Sequence, residues 1–141
     1  MSILMPNNVY QQLIVHCLLH LPNEACGVLL GVQASSKLTI DRFVPVPNVS
    51  LHPANEFEFD HRVWTRLIFD CHATGQHILG IVHSHPASPA IPSPEDLRTE
   101  WRNIPTHWIL SCEHKESLTL RAFSYHTDET YERIDWNIQF E

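Results

Sequence analysis

The run His77–Ser84 (HILGIVHS) constrains the fold most: both of its alternating faces are apolar, and Pro86 closes it two residues on. A short apolar run ended by a proline reads as a central strand, which needs neighbours on both sides and covering layers above and below. The flanking sequence supplies them. Asn7 or Asn8 can cap a helix running to about Leu21, with apolar residues at Val9, Leu13, His16/Cys17 and Leu21 before the Pro22-Asn23 break. Ala25–Gln33 (ACGVLLGVQ) reads as a second buried strand, and Ala34-Ser35-Ser36 turns it into an alternating partner, Lys37–Val44. Pro45–Asn55, with three prolines, is a loop, and Glu56–Phe59 is a short extended piece. Asp60 caps a helix carried by Val63, Trp64, Leu67, Ile68 and Cys71 and closed by Gly75.

Four prolines lie between residues 86 and 94, and Ser93-Pro94-Glu95-Asp96 then starts a short helix that ends before Pro105. His107–Cys112, Ser117–Tyr125 and Tyr131–Phe140 finish the chain as strands. The expected fold is therefore α/β, a single domain over residues 1–141 with a curved mixed β-sheet flanked by helices. A chain of 141 residues is too short for a TIM barrel of ~250.

With 9 Lys+Arg against 16 Asp+Glu, the chain carries a net charge of −7 and no basic stripe, which argues against nucleic-acid binding. No apolar run approaches the ~18 residues of a membrane span, and the first basic residue is Lys37, so no charged signal region precedes the first helix. The expectation is a soluble, cytoplasmic protein without a membrane partner. The four cysteines form no CxxC pair and read as buried thiols.

Chemistry concentrates at His83-Ser84-His85-Pro86 and Ser93-Pro94-Glu95-Asp96. Side chains two apart on a strand share a face, so His83 and His85 project together and Ser84 projects the other way. Two such imidazoles can share one divalent ion, and catalytic zinc takes three protein ligands with one open position. Asp96 is the natural third ligand: it sits in the first turn of a helix, where free N–H groups and the macrodipole favour an ionised carboxylate. The prolines before it limit the conformations that the connection must give up. Water activated by such an ion needs a proton acceptor, and Glu24, directly before the strand at Ala25, is the candidate.

Together these residues resemble the JAMM (MPN+) metalloprotease motif: Glu24, then His-Ser-His-Pro, seven residues from Pro86 to Pro92, then Ser-x-x-Asp. The surroundings Glu24–Gly31 (EACGVLLG), Asn55-x-Phe57 and Ile81-Val82 resemble the family as well. The resemblance implies an MPN/JAMM fold with layering like that of cytidine deaminases, and one Zn²⁺ on His83, His85 and Asp96. It implies Glu24 as general base for the activated water, later donating to the leaving amine, and Ser93 as hydrogen-bond donor to the oxyanion. The implied reaction is hydrolysis of an amide or isopeptide bond after the C-terminal glycine of a ubiquitin-like or sulfur-carrier protein. The compact spacing, with 58 residues between Glu24 and His83, looks like the stand-alone bacterial branch, similar to the peptidase that releases cysteine from a sulfur carrier. This reading leaves room for a homodimer.

Plainer roles stand beside these. Ser93 makes a good N-cap with a Ser-x-x-acid box; Cys26 is a buried small hydrophobe; His16 and His20 pack or sit at a rim; His107 and His114 occupy ordinary strand and turn positions. Phe57, Trp64, Trp101, Trp108 and Trp136 read as core or rim aromatics. Three other functions compete. A RadC-like member of the superfamily would read His-Asn-His-Pro-Ser-Gly. A zinc deaminase needs Pro-Cys-x-x-Cys, absent here. A non-catalytic MPN scaffold usually lacks some ligands, whereas all five positions are filled.

Overall fold

The computed structural model describes residues 1–140. In chain order they form β1 (Ser2–Pro6), α1 (Asn7–Leu19), β2 (Cys26–Ala34), β3 (Lys37–Val46), α2 (His61–Thr74), β4 (His77–His85), α3 (Pro94–Leu97), β5 (Thr106–Ser111), β6 (Thr119–Tyr125), β7 (Tyr131–Ile134) and β8 (Asn137–Gln139). The strands make one sheet in the order β7-β6-β5-β4-β2-β3-β1-β8. β4 and β5 run parallel, as does β1 with both its neighbours, and the remaining pairs are antiparallel. The expected curved mixed α/β sheet is present.

Its curvature follows from the chain path. β7 and β8 hold opposite edges of the sheet, yet only Asp135 and Trp136 separate them. Three Cα–Cα steps of about 3.8 Å cannot span a flat eight-stranded sheet, so the sheet must curl until its edges nearly meet. α1 fills the concave side. Its Val9, Leu13 and Cys17 pack with Ile40, Leu79 and Trp108. Trp136, at the meeting of the two edges, packs against Trp108 (5.4 Å between rings) and Tyr10 (5.8 Å). α2 covers the other face, setting Leu67 and Cys71 on Cys26, Val28, Leu30 and Ile81.

Gly80 explains why the central strand can be so tightly flanked. A Cβ there would lie 2.7 Å from Thr106 Oγ1 and Trp108 Nε1. That space is used by Thr106, which donates to the Leu79 carbonyl (2.6 Å) and accepts from the Trp108 indole (2.7 Å).

Several boundaries differ from the sequence reading. β1 was not anticipated, and its last residue, Pro6, is the N-cap of α1, with no side-chain cap from Asn7 or Asn8. α1 ends at Leu19, two residues early. β3 continues through Pro45 to Val46, which a proline tolerates here because β1 pairs with β3 only as far as Thr39 and leaves that edge free. α3 is one turn long, and the last strand is two strands on opposite edges. α2 is as expected: Asp60 accepts from the amides of Arg62 and Val63, and Gly75 takes the left-handed φ of 73°. All four cysteines are free and buried.

Candidate metal centre

The C-terminal end of β4 carries His83 and His85 on the face covered by α2 and α3, while Ser84 points back towards α1. Both imidazoles are buried, and their Nε2 atoms are 3.2 Å apart. Pro86 stops the strand, and the chain turns so that the Pro89 carbonyl meets His85 Nδ1 at 2.8 Å. A carbonyl can only accept, so Nδ1 carries a proton and Nε2 is the nitrogen turned inward. The Phe57 ring stacks on His83 at 4.7 Å and 24°, which fixes the plane of the second imidazole.

Asp96 arrives from the other side on α3. Ser93 and Asp96 form a capping box: the Asp96 amide donates to Ser93 Oγ (3.1 Å) and the Ser93 amide donates to Asp96 Oδ2 (2.9 Å). The same carboxylate lies 3.2 Å from His83 Nε2 and 3.1 Å from His85 Nε2. Burial opposes its ionisation. The charge of His83 and the hydrogen bonds from both imidazoles and the Ser93 amide outweigh burial and hold the carboxyl far below its usual range.

This donor set fits a divalent cation. One nitrogen from each histidine and one oxygen from Asp96 lie within 4.8 Å of one another. An ion with ligands at ~2.0–2.1 Å in tetrahedral array separates neighbouring donors by about 3.3–3.4 Å, close to the 3.1–3.2 Å contacts found here. Once both Nε2 atoms give up their protons, the converging atoms are two lone pairs and a carboxylate, a set that a cation satisfies.

Glu24 stands beside this cluster, in the irregular link between α1 and β2. It is only 5% exposed, and its Oε1 has no hydrogen-bond partner among the described residues. Burial pushes its carboxyl up from 4.5 to about 7, against the pull of His83 and His85 and with the help of Asp96 and Glu56. Glu24, His85 and Ser93 line one cavity of about 210 Å³, with Asn55 and Ala87 at its walls. A second cleft, about 250 Å³, lies on the far side of Asp96 between Phe57 and Trp101, and Asn55 borders both. All five residues singled out in the sequence thus come together.

The remaining candidates keep their plainer roles. Cys26 is buried and donates to the Val46 carbonyl (3.3 Å), and burial drives its thiol far above the ordinary range, so it is no nucleophile. His107 is buried with its ring stacked on Tyr125 at 4.1 Å; burial, aided by His83, pushes it down to about 4. His16 meets the Cys26 carbonyl and packs on Phe43, and His114 is exposed. Two neighbours have roles that the sequence does not announce: Phe57, part of the Asn55-x-Phe57 resemblance and otherwise read as a core or rim aromatic, stacks on His83, and Asn48, in a proline-rich loop, bonds the Glu24 carbonyl.

Comparison with known proteins adds independent findings. The profile of a family described as "Prokaryotic homologs of the JAB domain" matches residues 6–125. A Thermus thermophilus protein described as a "Probable TtuB-protein conjugate cleaving protease" is 30% identical over 98 residues, which are 69% of this chain and 63% of that protein. A Haloferax volcanii protein described as "Desampylase" is 32% identical over 104 residues, 73% of this chain and 71% of the relative. The chain therefore spans under two thirds of the first relative's length. A protein of Desulfitobacterium hafniense solved in solution superposes with a TM-score of 0.85 at 28% identity, covering 99% of this chain and 94% of the other.

Proposed function

The chain belongs to the family of prokaryotic homologs of the JAB domain, and from that membership we propose that it is a metal-dependent peptidase acting on the C-terminal tail of a ubiquitin-like or sulfur-carrier protein. The bond cleaved is the amide or isopeptide bond after the terminal glycine of that carrier. The observation that carries this reading is the convergence of His83, His85 and Asp96 beside the buried, unpartnered Glu24. The descriptions of the two relatives, one a conjugate-cleaving protease and the other a desampylase, support the choice of substrate.

His83, His85 and Asp96 would hold one ion, and the nitrogen-rich, borderline-soft donor set suits Zn²⁺. Such an ion lowers the pKa of water and polarises the scissile carbonyl. The chain's own residues do the rest. Glu24, whose carboxyl burial holds above its ordinary range, takes a proton from the attacking water and delivers it to the departing amine nitrogen as the C–N bond breaks. Ser93 Oγ accepts from the Asp96 amide, which leaves its own O–H free to donate to the oxyanion of the tetrahedral intermediate. The Pro89 carbonyl and Phe57 keep both imidazoles in place throughout.

A scaffold without catalysis leaves Glu24 unexplained. A buried carboxylate with an unpaired oxygen destabilises the fold, and nothing in a purely structural role requires it. The test is incubation with a carrier protein whose Gly-Gly end is amide-linked to cysteine, followed by intact mass. The expected result is loss of the cysteine residue, abolished by chelator and restored by Zn²⁺. An unchanged adduct mass with one metal per chain would reject the reading.

A further inference from the structure

We propose that Asn48 is a positioning residue for Glu24, holding the base over the metal cluster without touching the reacting atoms. The inference rests on the assignment of Glu24 as base. Glu24 and Ala25 lie outside the strands, and although the Ala25 carbonyl accepts from the Ser84 amide at the end of β4 (3.0 Å), Glu24 itself has no partner in a sheet ladder. Three bonds from elsewhere fix the two peptide groups around Glu24. Its N–H donates to the Pro53 carbonyl (2.7 Å), Asn48 Nδ2 donates to its carbonyl (2.9 Å), and the Ala25 amide donates to Ser84 Oγ (2.9 Å).

Pro53 and Asn48 both lie in the loop that leads to Phe57, and of the two Asn48 makes its bond through a side chain, which substitution can remove. Its Nδ2 donates a second time to the Glu56 carbonyl (3.0 Å), and its Oδ1 accepts from the amides of Ser50 and Glu58 (3.0 Å each). Two donor and two acceptor sites are filled, the whole capacity of a primary amide. One side chain therefore joins the backbone of the base to both ends of the segment that carries Phe57 onto His83. Hydrophobic contact alone would not set this register, because Asn48 is only half-buried and Glu56 and Glu58 face the cleft. Small misplacements of a reacting group cost up to about 100-fold in rate, so loss of this bond acts on turnover more than on binding.

Asn48→Asp keeps both acceptor bonds and deletes both donor bonds, whereas Asn48→Ala deletes all four. Ser50→Ala removes two other bonds in the same loop, the one Ser50 Oγ donates to Glu56 and the one it accepts from the His52 amide, and leaves all four Asn48 bonds in place. Each is assayed on the Gly-Gly-cysteine carrier adduct, alongside Glu24→Gln, with metal content and thermal melting measured on the same samples. For Asn48→Asp and Asn48→Ala, kcat should fall roughly 10- to 100-fold while KM stays within about threefold. Metal content should remain one per chain, and Ser50→Ala should keep kcat within about twofold of the parent. Wild-type kcat in Asn48→Asp beside an inactive Glu24→Gln overturns the Asn48 role and leaves the base assignment standing. A kcat loss matched by loss of metal also overturns it, since the residue would then be merely structural. An active Glu24→Gln removes the base assignment itself, and the Asn48 role with it.

Discussion

Ser93 and Asp96 hold each other by two hydrogen bonds, and the Asp96 oxygen that accepts from the Ser93 amide at 2.9 Å also faces His85 Nε2 at 3.1 Å. The cap of a one-turn helix is thus also the mount of the third ligand. A helix of four residues has little stability of its own, so the ligand depends on the box.

Asp96→Asn separates the two duties. An amide oxygen still accepts from the Ser93 amide, so the turn survives, but the anionic donor is lost. Elemental analysis should show metal content falling well below one per chain, and because the ionised carboxylate also bonds both imidazoles, the metal-free melting temperature at neutral pH should fall as well. Full metal retention would remove Asp96 from the ligand set.

Ser93→Ala deletes both the cap and the proposed oxyanion donor. The cap is worth about 1 kcal/mol, and an oxyanion donor about 10²–10³ in kcat. Ser93→Thr preserves the hydroxyl and should recover most of both. Turnover of Ser93→Ala within about threefold of the parent would leave Ser93 with the cap alone.

Glu24→Gln should abolish turnover and yet stabilise the metal-free fold. The folded carboxyl titrates at about 7 and the unfolded one at 4.5, so the folded state binds more protons between those values. The resulting penalty is absent below about pH 4, grows through the window, and is full above about pH 7. At about pH 8, removing it is worth on the order of 3 kcal/mol at most, taking 1.36 kcal/mol per pH unit. Chemical denaturation of chelated protein at about pH 8 and pH 4 checks the sign: a gain at high pH only is expected. A variant less stable at both would contradict the burial argument.

The same carboxyl sets an acid limb for catalysis. A base must be ionised, so kcat/KM should fall with unit slope as pH drops through its pKa. A bound dication lowers that pKa, which places the limb in the loaded enzyme below about 7. Activity that rises instead of falling as the pH drops below about 7 would exclude Glu24 as the base.

Much of this site could be read before any coordinates, and the reasons are local. The His83/His85 pairing needs only the two-residue period of a strand, and Asp96 needs only the Ser-Pro start of α3. What stayed hidden depends on contacts distant in sequence. β1 finds its partners more than thirty residues away in β3 and over 130 away in β8, and neither short strand has an internal pattern to announce it. The split at Asp135-Trp136 is visible only once the sheet has curled. Asn48 looked like any loop asparagine because its bonds to Glu24 and Glu56 exist only after β2 and the loop meet.

Anomalous diffraction at the zinc edge, from crystals of protein purified without added metal, tests the central claim most directly. The expected result is one peak per chain within ~2.0–2.2 Å of His83 Nε2, His85 Nε2 and an Asp96 oxygen. A map with no peak among these three atoms, or with the peak on other side chains, would contradict it.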